Sequence, residues 1–257
     1  MARQHLGQHF LVKGKTLDRI AKAVCGDHTP LVVEIGPGRG ALTERLLGRA
    51  DRVVAIELDD ALALQVKDRW PEVEVMQANA LHVDWNQWGA GVLAGNLPYY
   101  IATPLIAKYL RQPGSLSHAV FLIQKEVAER ITATPGHREY GYLSVECQLF
   151  AEAEYLFNVQ PGAFQPPPKV DSAVIRLTPR KEIAVSDPAK FLGFVSVCFR
   201  QKRKTLRNNL VAAYAPESFE GRPEISRRAE QLSIPDFVTL YTHVKSHGPA
   251  GQSSESA

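Results

Sequence analysis

Four consecutive residues, Asn96-Leu97-Pro98-Tyr99, place an amide, an extended carbonyl and an aromatic ring side by side. The Asn96 side-chain oxygen and the Leu97 carbonyl can each accept a hydrogen bond from one N–H of an exocyclic amine, such as N6 of adenine. Pro98 has no N–H of its own and holds Leu97 extended. The lone pair of such an amine is delocalised into the ring, so two acceptors that favour a pyramidal nitrogen make it a better nucleophile. The pattern predicts methyl transfer to a base amine.

Tyr99 completes this motif because its ring can stack on an extruded base, which stabilises the complex by about 1–3 kcal/mol. The methylated ammonium product is acidic enough to lose its proton to water, so the motif needs no general base. A base stacked inside a helix cannot be reached, and the target is therefore expected to be flipped out or single-stranded. The alternative interpretation of the four residues is a strand-end turn with a half-buried tyrosine.

A glycine-rich loop, Glu34-x-Gly36-x-Gly38-x-Gly40, stands earlier in the chain between a predicted strand and a predicted helix. Glycine lets the backbone turn sharply and approach a ligand closely. Glu57 ends the next predicted strand, where a carboxylate can accept hydrogen bonds from both hydroxyls of a ribose. Proteins that bind NAD and proteins that bind S-adenosylmethionine (AdoMet) share these features, so the loop alone does not separate the two cofactors.

The apolar periodicity predicts the elements that position these motifs. Strands alternate with helices over the first part of the chain, which predicts an α/β fold with a parallel, doubly wound sheet. Ligands of such sheets bind at the carboxyl ends of the strands, where both motifs stand. The predicted strands are 31–35, 52–57, 72–76, 91–95, 119–123 and 173–177, and the predicted helices are 17–24, 42–47, 60–69, one begun by Thr103-Pro104, one begun by Asp187-Pro188, 223–232 and 235–245.

The composition changes at a proline-rich loop around 161–168 and again at Thr178-Pro179-Arg180. We therefore predict a catalytic, cofactor-binding domain over residues 1–180 and a small helical domain over 181–247. Residues 248–257 are rich in Gly and Ser and have no apolar stripe, which is typical of a disordered tail.

Basic residues cluster in the second predicted domain. The chain has 30 Lys and Arg against 27 Asp and Glu, a net charge of +3, and residues 181–257 contain 11 of the former and 8 of the latter. Such a cluster is either a solvated face or a phosphate-binding surface. Its densest part has no acidic residue and contains Arg200, Lys202, Arg203, Lys204 and Arg207.

Several classes of protein are excluded by the composition. No apolar run approaches the roughly 18–20 residues of a membrane span, so no membrane partner is expected. Cys25, Cys147 and Cys198 are far apart, and the histidines lack metal-binding spacing, so neither disulfides nor a metal is expected. The absence of a secretory signal and the cysteine pattern predict a cytoplasmic protein.

Several separate segments together resemble the ribosomal-RNA adenine N6-dimethyltransferase family, in its bacterial small-subunit (KsgA-type) branch. The resemblance covers about residues 3–245, and in combination its motifs are highly specific. Besides the two motifs above and Glu57, it rests on Gly7-Gln8-His9-Phe10-Leu11, on residues 164–172 (Phe-Gln-Pro-Pro-Pro-Lys-Val-Asp-Ser) and on residues 199–210 (Phe-Arg-Gln-Lys-Arg-Lys-Thr-Leu-Arg-Asn-Asn-Leu). The last segment looks like the basic helix of the family's small C-terminal domain.

The resemblance implies dimethylation of N6 on two adjacent adenosines near the 3′ end of small-subunit (16S) ribosomal RNA, with AdoMet as cofactor. It implies a Rossmann-like AdoMet-dependent methyltransferase sheet with helices on both faces, and a small all-α C-terminal domain. The partners are small-subunit ribosomal RNA and the assembling small subunit, and a monomer is expected. The implied catalytic residues are Asn96, Leu97, Pro98 and Tyr99; the cofactor-binding residues are His9, Leu11, Gly36, Gly38, Glu57, Asn79, Ala80 and Asn96; and the contacts to the target base or RNA are Tyr99, Phe164, Arg200, Lys202, Arg203, Lys204 and Arg207.

Two positions depart from the family's pattern. His9 replaces the usual asparagine, and because an imidazole still donates a hydrogen bond, cofactor binding is expected to be retained. Asn79 replaces the usual aspartate. Its carbonyl can still accept from the adenine amine of the cofactor, but without charge, so a lower AdoMet affinity is expected.

Other functions stay open at this point. The large-subunit dimethyltransferase that confers antibiotic resistance shares the cofactor loop and the Asn-aromatic loop, but residues 166–172 and 199–210 favour the small-subunit type. A DNA adenine methyltransferase is disfavoured because nothing resembles a DNA-reading domain. A non-catalytic assembly factor would not need an intact Asn96–Tyr99 motif, and an NAD-dependent oxidoreductase leaves both that motif and the basic run unexplained.

Overall fold

The computed structural model of the chain describes residues 9–112 and 114–246, which divide into two units. The first unit holds the described residues up to Glu129 together with Ala151–Pro179. The second holds Arg130–Phe150 and the described residues from Arg180. The predicted tail, 248–257, lies outside the described residues.

The assignment of residues 130–150 differs from the predicted division, which placed them in the catalytic domain. They belong to the second unit because Tyr140, Val145 and Leu149 are buried in its apolar core. The boundary expected near residue 180 coincides with the point where the chain leaves the first unit for the last time.

A seven-stranded sheet is the centre of the first unit, and two further short strands pair with each other. The order in the large sheet is 4-3-2-5-6-9-7 by strand number, and strand 1 pairs with strand 8. All six predicted strands are present. The strands are β1 (Phe10–Leu11), β2 (Thr29–Ile35), β3 (Ala50–Glu57), β4 (Glu74–Gln77), β5 (Gly91–Asn96), β6 (Leu116–Gln124), β7 (Ala151–Val159), β8 (Phe164–Gln165) and β9 (Ser172–Pro179).

The large sheet is mixed, which corrects the prediction of a parallel sheet. Strands β4, β3, β2, β5 and β6 are parallel, whereas β9 runs antiparallel to both β6 and β7. Strand β7 was not predicted, because its first residues alternate Ala with Glu and both are weak strand formers. It forms the edge of the sheet beside β9, with the Glu152 and Glu154 side chains exposed.

Helices cover both faces of the sheet. On one face, Leu17, Ile20 and Val24 of the first helix pack with Val32 and Val120 of the strands. The helices of the described residues are α1 (Gly14–Cys25), α2 (Ala41–Leu47), α3 (Asp60–Arg69), α4 (Ala102–Arg111), α5 (Lys125–Thr132), α6 (Tyr142–Phe150), α7 (Pro188–Cys198), α8 (Leu206–Leu210) and α9 (Ile234–Ser246).

Helix α4 covers the opposite face, where the Tyr109 ring meets the Phe121 ring edge-on at 6.3 Å between centroids. Since both faces are covered, the central strands are buried almost throughout. The helix begins at Ala102, one residue before the Thr103 that was expected to cap it, and its N-cap is Ile101. Pro104 still lies in the first turn, where a missing N–H costs nothing.

None of the helices in the described residues is both long and apolar enough to cross a membrane. Cys25, Cys147 and Cys198 are free and buried. Burial raises the pKa of the Cys25 thiol to about 11 and that of the other two still further, which keeps all three protonated and unreactive.

The second unit has its own aromatic core, built mainly from α7 and α9. Phe194 and Phe191 of α7 each meet the Tyr241 ring of α9 at 5.5 Å between centroids. Asp187 caps α7 as predicted, accepting a hydrogen bond from the Lys190 N–H at 3.0 Å. The helix predicted over 223–232 is replaced by two short 3₁₀ turns, Pro223–Ser226 and Ala229–Gln231.

The basic run over 199–210 is mostly a loop, although the resemblance implied a basic helix. Only Leu206–Leu210 is helical, and the preceding residues form turns between α7 and α8. The buried Asn209 side chain holds these turns. Its Nδ2 donates to the carbonyls of Cys198 (2.8 Å) and Gln201 (3.2 Å), and its Oδ1 accepts from the Gln201 N–H at 3.1 Å.

We predict that Asn209→Ala lowers the free energy of unfolding by about 2–3 kcal/mol, because it leaves buried backbone groups without partners. Urea denaturation of the full chain measures the change. Asn208→Ala is the matched control, since Asn208 is exposed on the same helix. Equal effects of the two substitutions would contradict the role given to Asn209.

Candidate active site

The glycine-rich loop runs from the end of β2 into α2 and forms one wall of the site. Gly36, Gly38 and Gly40 have positive φ angles of 66°, 57° and 77°, which other residues rarely adopt. A Cβ on Gly38 would lie 3.0 Å from the Phe10 ring, and one on Gly40 would lie 2.0 Å from Trp70. A Cβ on Gly36 would meet no atom within 4 Å. The open space beside Gly36 leaves room for a ligand against the backbone.

Glu57, at the end of β3, is 5% exposed and holds this loop in place. Its Oε2 accepts from the Gly38 N–H at 3.0 Å, and its Oε1 accepts from the N–H groups of Leu58 (2.8 Å) and Asp59 (3.0 Å). Three of the roughly four lone-pair positions of the carboxylate are therefore occupied. One position is left for a ligand, whereas the sequence analysis assigned Glu57 to both hydroxyls of a ribose.

A cleft at the carboxyl ends of β2, β3 and β5 brings most of the predicted site residues together. From the predicted set it is lined by His9, Leu11, Gly36, Gly38, Glu57, Asn96, Leu97, Pro98, Tyr99 and Phe164. All of them belong to the first unit. The cleft also includes residues that the sequence analysis gave no role, among them Phe10, Leu17, Ile20, Glu34, Arg39, Leu42 and Leu122.

Asn96 is the last residue of β5, and its side chain is held in one orientation. Its Nδ2 donates to the His9 main-chain oxygen at 3.2 Å, and the next residue, Leu97, donates its N–H to the Leu122 carbonyl at 3.0 Å. In the described residues no donor is bound to the Asn96 Oδ1 or to the Leu97 carbonyl. The two acceptors singled out in the sequence analysis are therefore both free.

Tyr99 is half-buried, and its hydroxyl is 2.9 Å from the Oγ of Ser172, a fully buried residue that begins β9. Burial raises the pKa of the Tyr99 phenol, and the hydrogen bond to Ser172 opposes that rise. The ring that lies beside Tyr99 is His9, at 6.0 Å between centroids and tilted by 34°. Phe164 lines the same cleft but is 5% exposed and packs into the apolar core.

His9 is fixed by the pairing of β1 with β8. Its Nδ1–H donates to the Pro166 carbonyl at 2.8 Å, just beyond β8. Phe10 follows it, with the Arg39 guanidinium 4.4 Å above its ring centroid. In the sequence these two segments are far apart, and no signal in it predicts that residues 9–11 contact residues 164–166.

Asn79 and Ala80 do not line the cleft, although the resemblance placed both near the cofactor. They follow β4, and the Asn79 Oδ1 accepts from the Leu81 N–H at 3.0 Å, which caps a 3₁₀ turn over Ala80–His82. The single side-chain oxygen of Asn79 is therefore already hydrogen-bonded within the protein. The other terminal atom, Nδ2, can only donate, whereas an aspartate would offer a second acceptor there.

Glu34, in β2, is a buried acid of the cleft that the sequence analysis quoted without a role. It is 1% exposed, and its Oε2 accepts from the Thr43 hydroxyl at 2.6 Å. Burial raises the pKa of the Glu34 carboxyl to about 7, the Thr43 hydrogen bond lowers it, and the nearby Glu57 raises it. An acid inside a buried apolar strand, two residues before a glycine loop, could have signalled this group.

The predicted basic RNA contacts lie in the second unit, and none of these basic residues lines the cleft. Within the described residues, Arg200, Arg203 and Lys204 are exposed and have no carboxylate partner. Lys202 donates to the Arg138 main-chain oxygen, and Arg207 pairs with the Glu220 carboxylate at 3.2 Å.

No group of His, Cys, Asp and Glu side chains able to hold a metal ion occurs in the described residues. The described cleft presents hydrogen-bond acceptors, aromatic surface and buried carboxyl groups.

Comparisons with known proteins bear on this site. The sequence model of a family described as "Ribosomal RNA adenine dimethylase" matches residues 1–245. A protein of Acidobacterium capsulatum named "Ribosomal RNA small subunit methyltransferase A" is 42% identical over 252 residues, which cover 92% of this chain and 89% of that protein.

Two solved structures are similar over nearly their whole length. A dimethyladenosine transferase from Plasmodium falciparum has a TM-score of 0.82 and 27% identity, and the match covers 93% of this chain and 98% of that one. The 23S rRNA methyltransferase ErmE has a TM-score of 0.72 and 27% identity, with 92% and 99% covered.

The buried Glu34 predicts a pH dependence of stability. Its pKa of about 7 exceeds the ordinary value of 4.5, so the folded chain keeps a proton that the unfolded chain releases. The stabilising contribution is fully present below about pH 4.5 and is lost as the pH rises through about 7. Relative to Glu34→Gln, the unfolding free energy should fall by about 2–3 kcal/mol between pH 5 and pH 8.

Urea denaturation at a series of pH values measures this difference. Thr43→Val supplies a second arm, because loss of its hydroxyl removes a donor to the ionised carboxylate and should shift the fall to higher pH. Parallel curves for the wild type and Glu34→Gln would show that this carboxyl is not the group responsible.

Proposed function

The chain belongs to the ribosomal RNA adenine dimethylase family, and from this premise we propose that it dimethylates N6 of two adjacent adenosines near the 3′ end of small-subunit ribosomal RNA. The observation that carries the proposal is the pair of free acceptors, Asn96 Oδ1 and the Leu97 carbonyl, at the carboxyl end of β5. They are the two groups that an adenine amine requires.

These acceptors act on the amine itself. In the first transfer each takes a hydrogen bond from one N–H of N6, which favours a pyramidal nitrogen and localises its lone pair. The monomethylated amine has one N–H, so one acceptor binds it in the second transfer. The His9 main-chain oxygen holds the Asn96 nitrogen, so the amide presents its oxygen rather than its N–H groups to the base. No side chain needs to act as a base, because the ammonium product releases its proton to water.

The cleft residues fit AdoMet as the methyl donor. The space beside Gly36 accommodates a ligand at the glycine loop, and Glu57 retains one acceptor position for a ribose hydroxyl. His9 and Leu11 of the segment around β1 border the same space. When bound, AdoMet supplies an electrophilic methyl group on a sulfonium sulfur.

The target base is recognised by rings. Tyr99 stacks on the adenine, with its hydroxyl hydrogen-bonded to Ser172, and Phe164 lines the same cleft. Stacking on an aromatic ring stabilises an extruded base by about 1–3 kcal/mol. Both transfers use the same pocket, so it must readmit the monomethylated base.

The basic turn of the second unit supplies contacts to the RNA backbone. Arg200, Arg203 and Lys204 are exposed and unpaired by carboxylates in the described residues, so they are available to phosphates. Arg207 would first have to break its ion pair with Glu220, so its contribution to RNA binding is smaller. The physiological substrate is the assembling small subunit in the cytoplasm, and the protein acts as a monomer.

The large-subunit dimethyltransferase is the competing proposal. The relative named for the small subunit is 42% identical to this chain, whereas ErmE is 27% identical. The greater identity supports the small subunit as the substrate.

Transfer from labelled AdoMet to small subunits that lack these modifications tests the proposal. We expect four methyl groups per small subunit, recovered as dimethyladenosine, since each of two bases takes two. Naked small-subunit RNA and large subunits serve as parallel substrates. Labelling of large-subunit RNA would support the competing substrate, and no transfer to any of them would overturn the proposed activity.

Asn96→Ala tests the mechanism. Removal of one of two acceptors should lower the rate of transfer by at least about 100-fold, because electrostatic groups aimed at the reacting atom contribute on this scale. Binding of AdoMet, measured by calorimetry, should survive. Asn158→Ala is the control, an exposed asparagine of β7 in the same unit. Near-wild-type turnover of Asn96→Ala would contradict the proposed mechanism.

A further inference from the structure

One ammonium group in the first unit is bound entirely to the backbone of a single loop. Lys108 lies in α4, and its Nζ donates to the carbonyls of Ala80 and Leu81, each at 3.0 Å, and to that of Val83. The ammonium also lies 4.5 Å from the Trp85 ring centroid. A lysine has three N–H donors, so all of them are used on this loop.

The Trp85 side chain reinforces the same contact. It is 1% exposed, and its Nε1–H donates to the Ala80 carbonyl at 3.0 Å, so that this oxygen accepts from both the indole and the lysine. Burial lowers the pKa of the Lys108 ammonium, and the Asp84 carboxylate opposes that shift. The ammonium is thus partly withdrawn from water and bound to backbone oxygens.

The loop held in this way does not line the cleft, but it follows β4, which pairs with β3 up to Glu57. It begins at Asn79, two residues after the end of β4, and the adjacent Ala78 donates its N–H to the Glu57 carbonyl at 2.8 Å. Asn79 caps the first turn of the loop through the Leu81 N–H. The loop from Asn79 to Val83 therefore lies beside the end of β3, where Glu57 provides the carboxylate proposed to bind the cofactor.

The helix that supplies Lys108 also begins at the catalytic loop. The Pro98 carbonyl accepts the N–H groups of Ile101 and Ala102, which start α4. One helix thus connects the residues around Asn96 with the loop after β4.

We propose that Lys108 is a positioning residue, which fixes the loop from Asn79 to Val83 against α4 and so sets the affinity for the adenosine part of the cofactor. This inference rests on the proposed function, in which Glu57, beside this loop, binds a ribose hydroxyl of AdoMet. Lys108 itself touches no substrate. It acts through three backbone oxygens whose positions decide where Asn79 and Ala80 stand.

Calorimetric titration of the full chain with S-adenosylhomocysteine measures the effect directly. Lys108→Met keeps the length of the side chain and removes the charge and its three donors, and we expect the dissociation constant to rise about tenfold. Lys108→Arg should recover most of the affinity, because a guanidinium also supplies several N–H donors. Lys22→Met, an exposed lysine of α1, should leave it unchanged.

A double-mutant cycle with Asn79→Ala separates positioning from general stabilisation. If Lys108 acts through this loop, the losses in affinity for S-adenosylhomocysteine overlap, and the double variant binds little worse than either single one. Affinity for unmodified small-subunit RNA should stay at the wild-type value in Lys108→Met. Additive losses, or no loss in either single variant, would overturn the inference.

Two further outcomes are distinguishable. If the wild type fails to bind S-adenosylhomocysteine, the proposed cofactor is wrong and the inference falls with it. If the wild type binds but Lys108→Met binds equally well, only the inference falls.

Should Lys108→Met not fold, Trp85→Phe carries the test, because it removes the indole donor to Ala80 and keeps a ring. Unchanged affinity in that variant would overturn the proposal.

Discussion

The hydrogen bond from the Asn96 amide nitrogen to the His9 main-chain oxygen is the interaction on which the site depends. The Asn96 amide has a donor nitrogen and an acceptor oxygen, and only the oxygen can accept hydrogen bonds from the N–H groups of an adenine amine. The pairing of β1 with β8 puts His9 in place, and its ring is tied to the Pro166 carbonyl. A short strand far from the catalytic motif in sequence therefore decides which atom of Asn96 is presented.

The first unit places ionisable groups where backbone groups need partners. The Glu57 carboxylate accepts hydrogen bonds from three backbone N–H groups of the surrounding loops, and the Lys108 ammonium donates to three backbone carbonyls. Both side chains hold loops at the carboxyl edge of the sheet whose backbone groups are not paired with a neighbouring strand. The exposed cations of the second unit, Arg200, Arg203 and Lys204, are instead available to an external polyanion.

The sequence predicted elements well where one physical signal dominated. Strands β2, β3 and β5 are continuous apolar runs, and α1 carries Leu17, Ile20 and Val24 at helical spacing, so all were found. Strand β7 was missed because Ala and Glu do not favour strands, and its place beside β9 supplies the pairing. The basic run was expected to be a helix, but Asn209 binds the Cys198 and Gln201 backbone and holds it as turns.

By itself, the sequence determined the types and spacing of the groups that could do the chemistry: an amide and a proline after one strand, glycines after another, and an acid at the end of a third. These are local properties, set by residue type and by the rule that ligands meet the carboxyl ends of parallel strands. Only the tertiary structure decided which of these groups are free. Glu57 is largely occupied, the Asn79 Oδ1 is engaged and the Asn96 Oδ1 is open, because each depends on backbone partners that lie elsewhere in the chain.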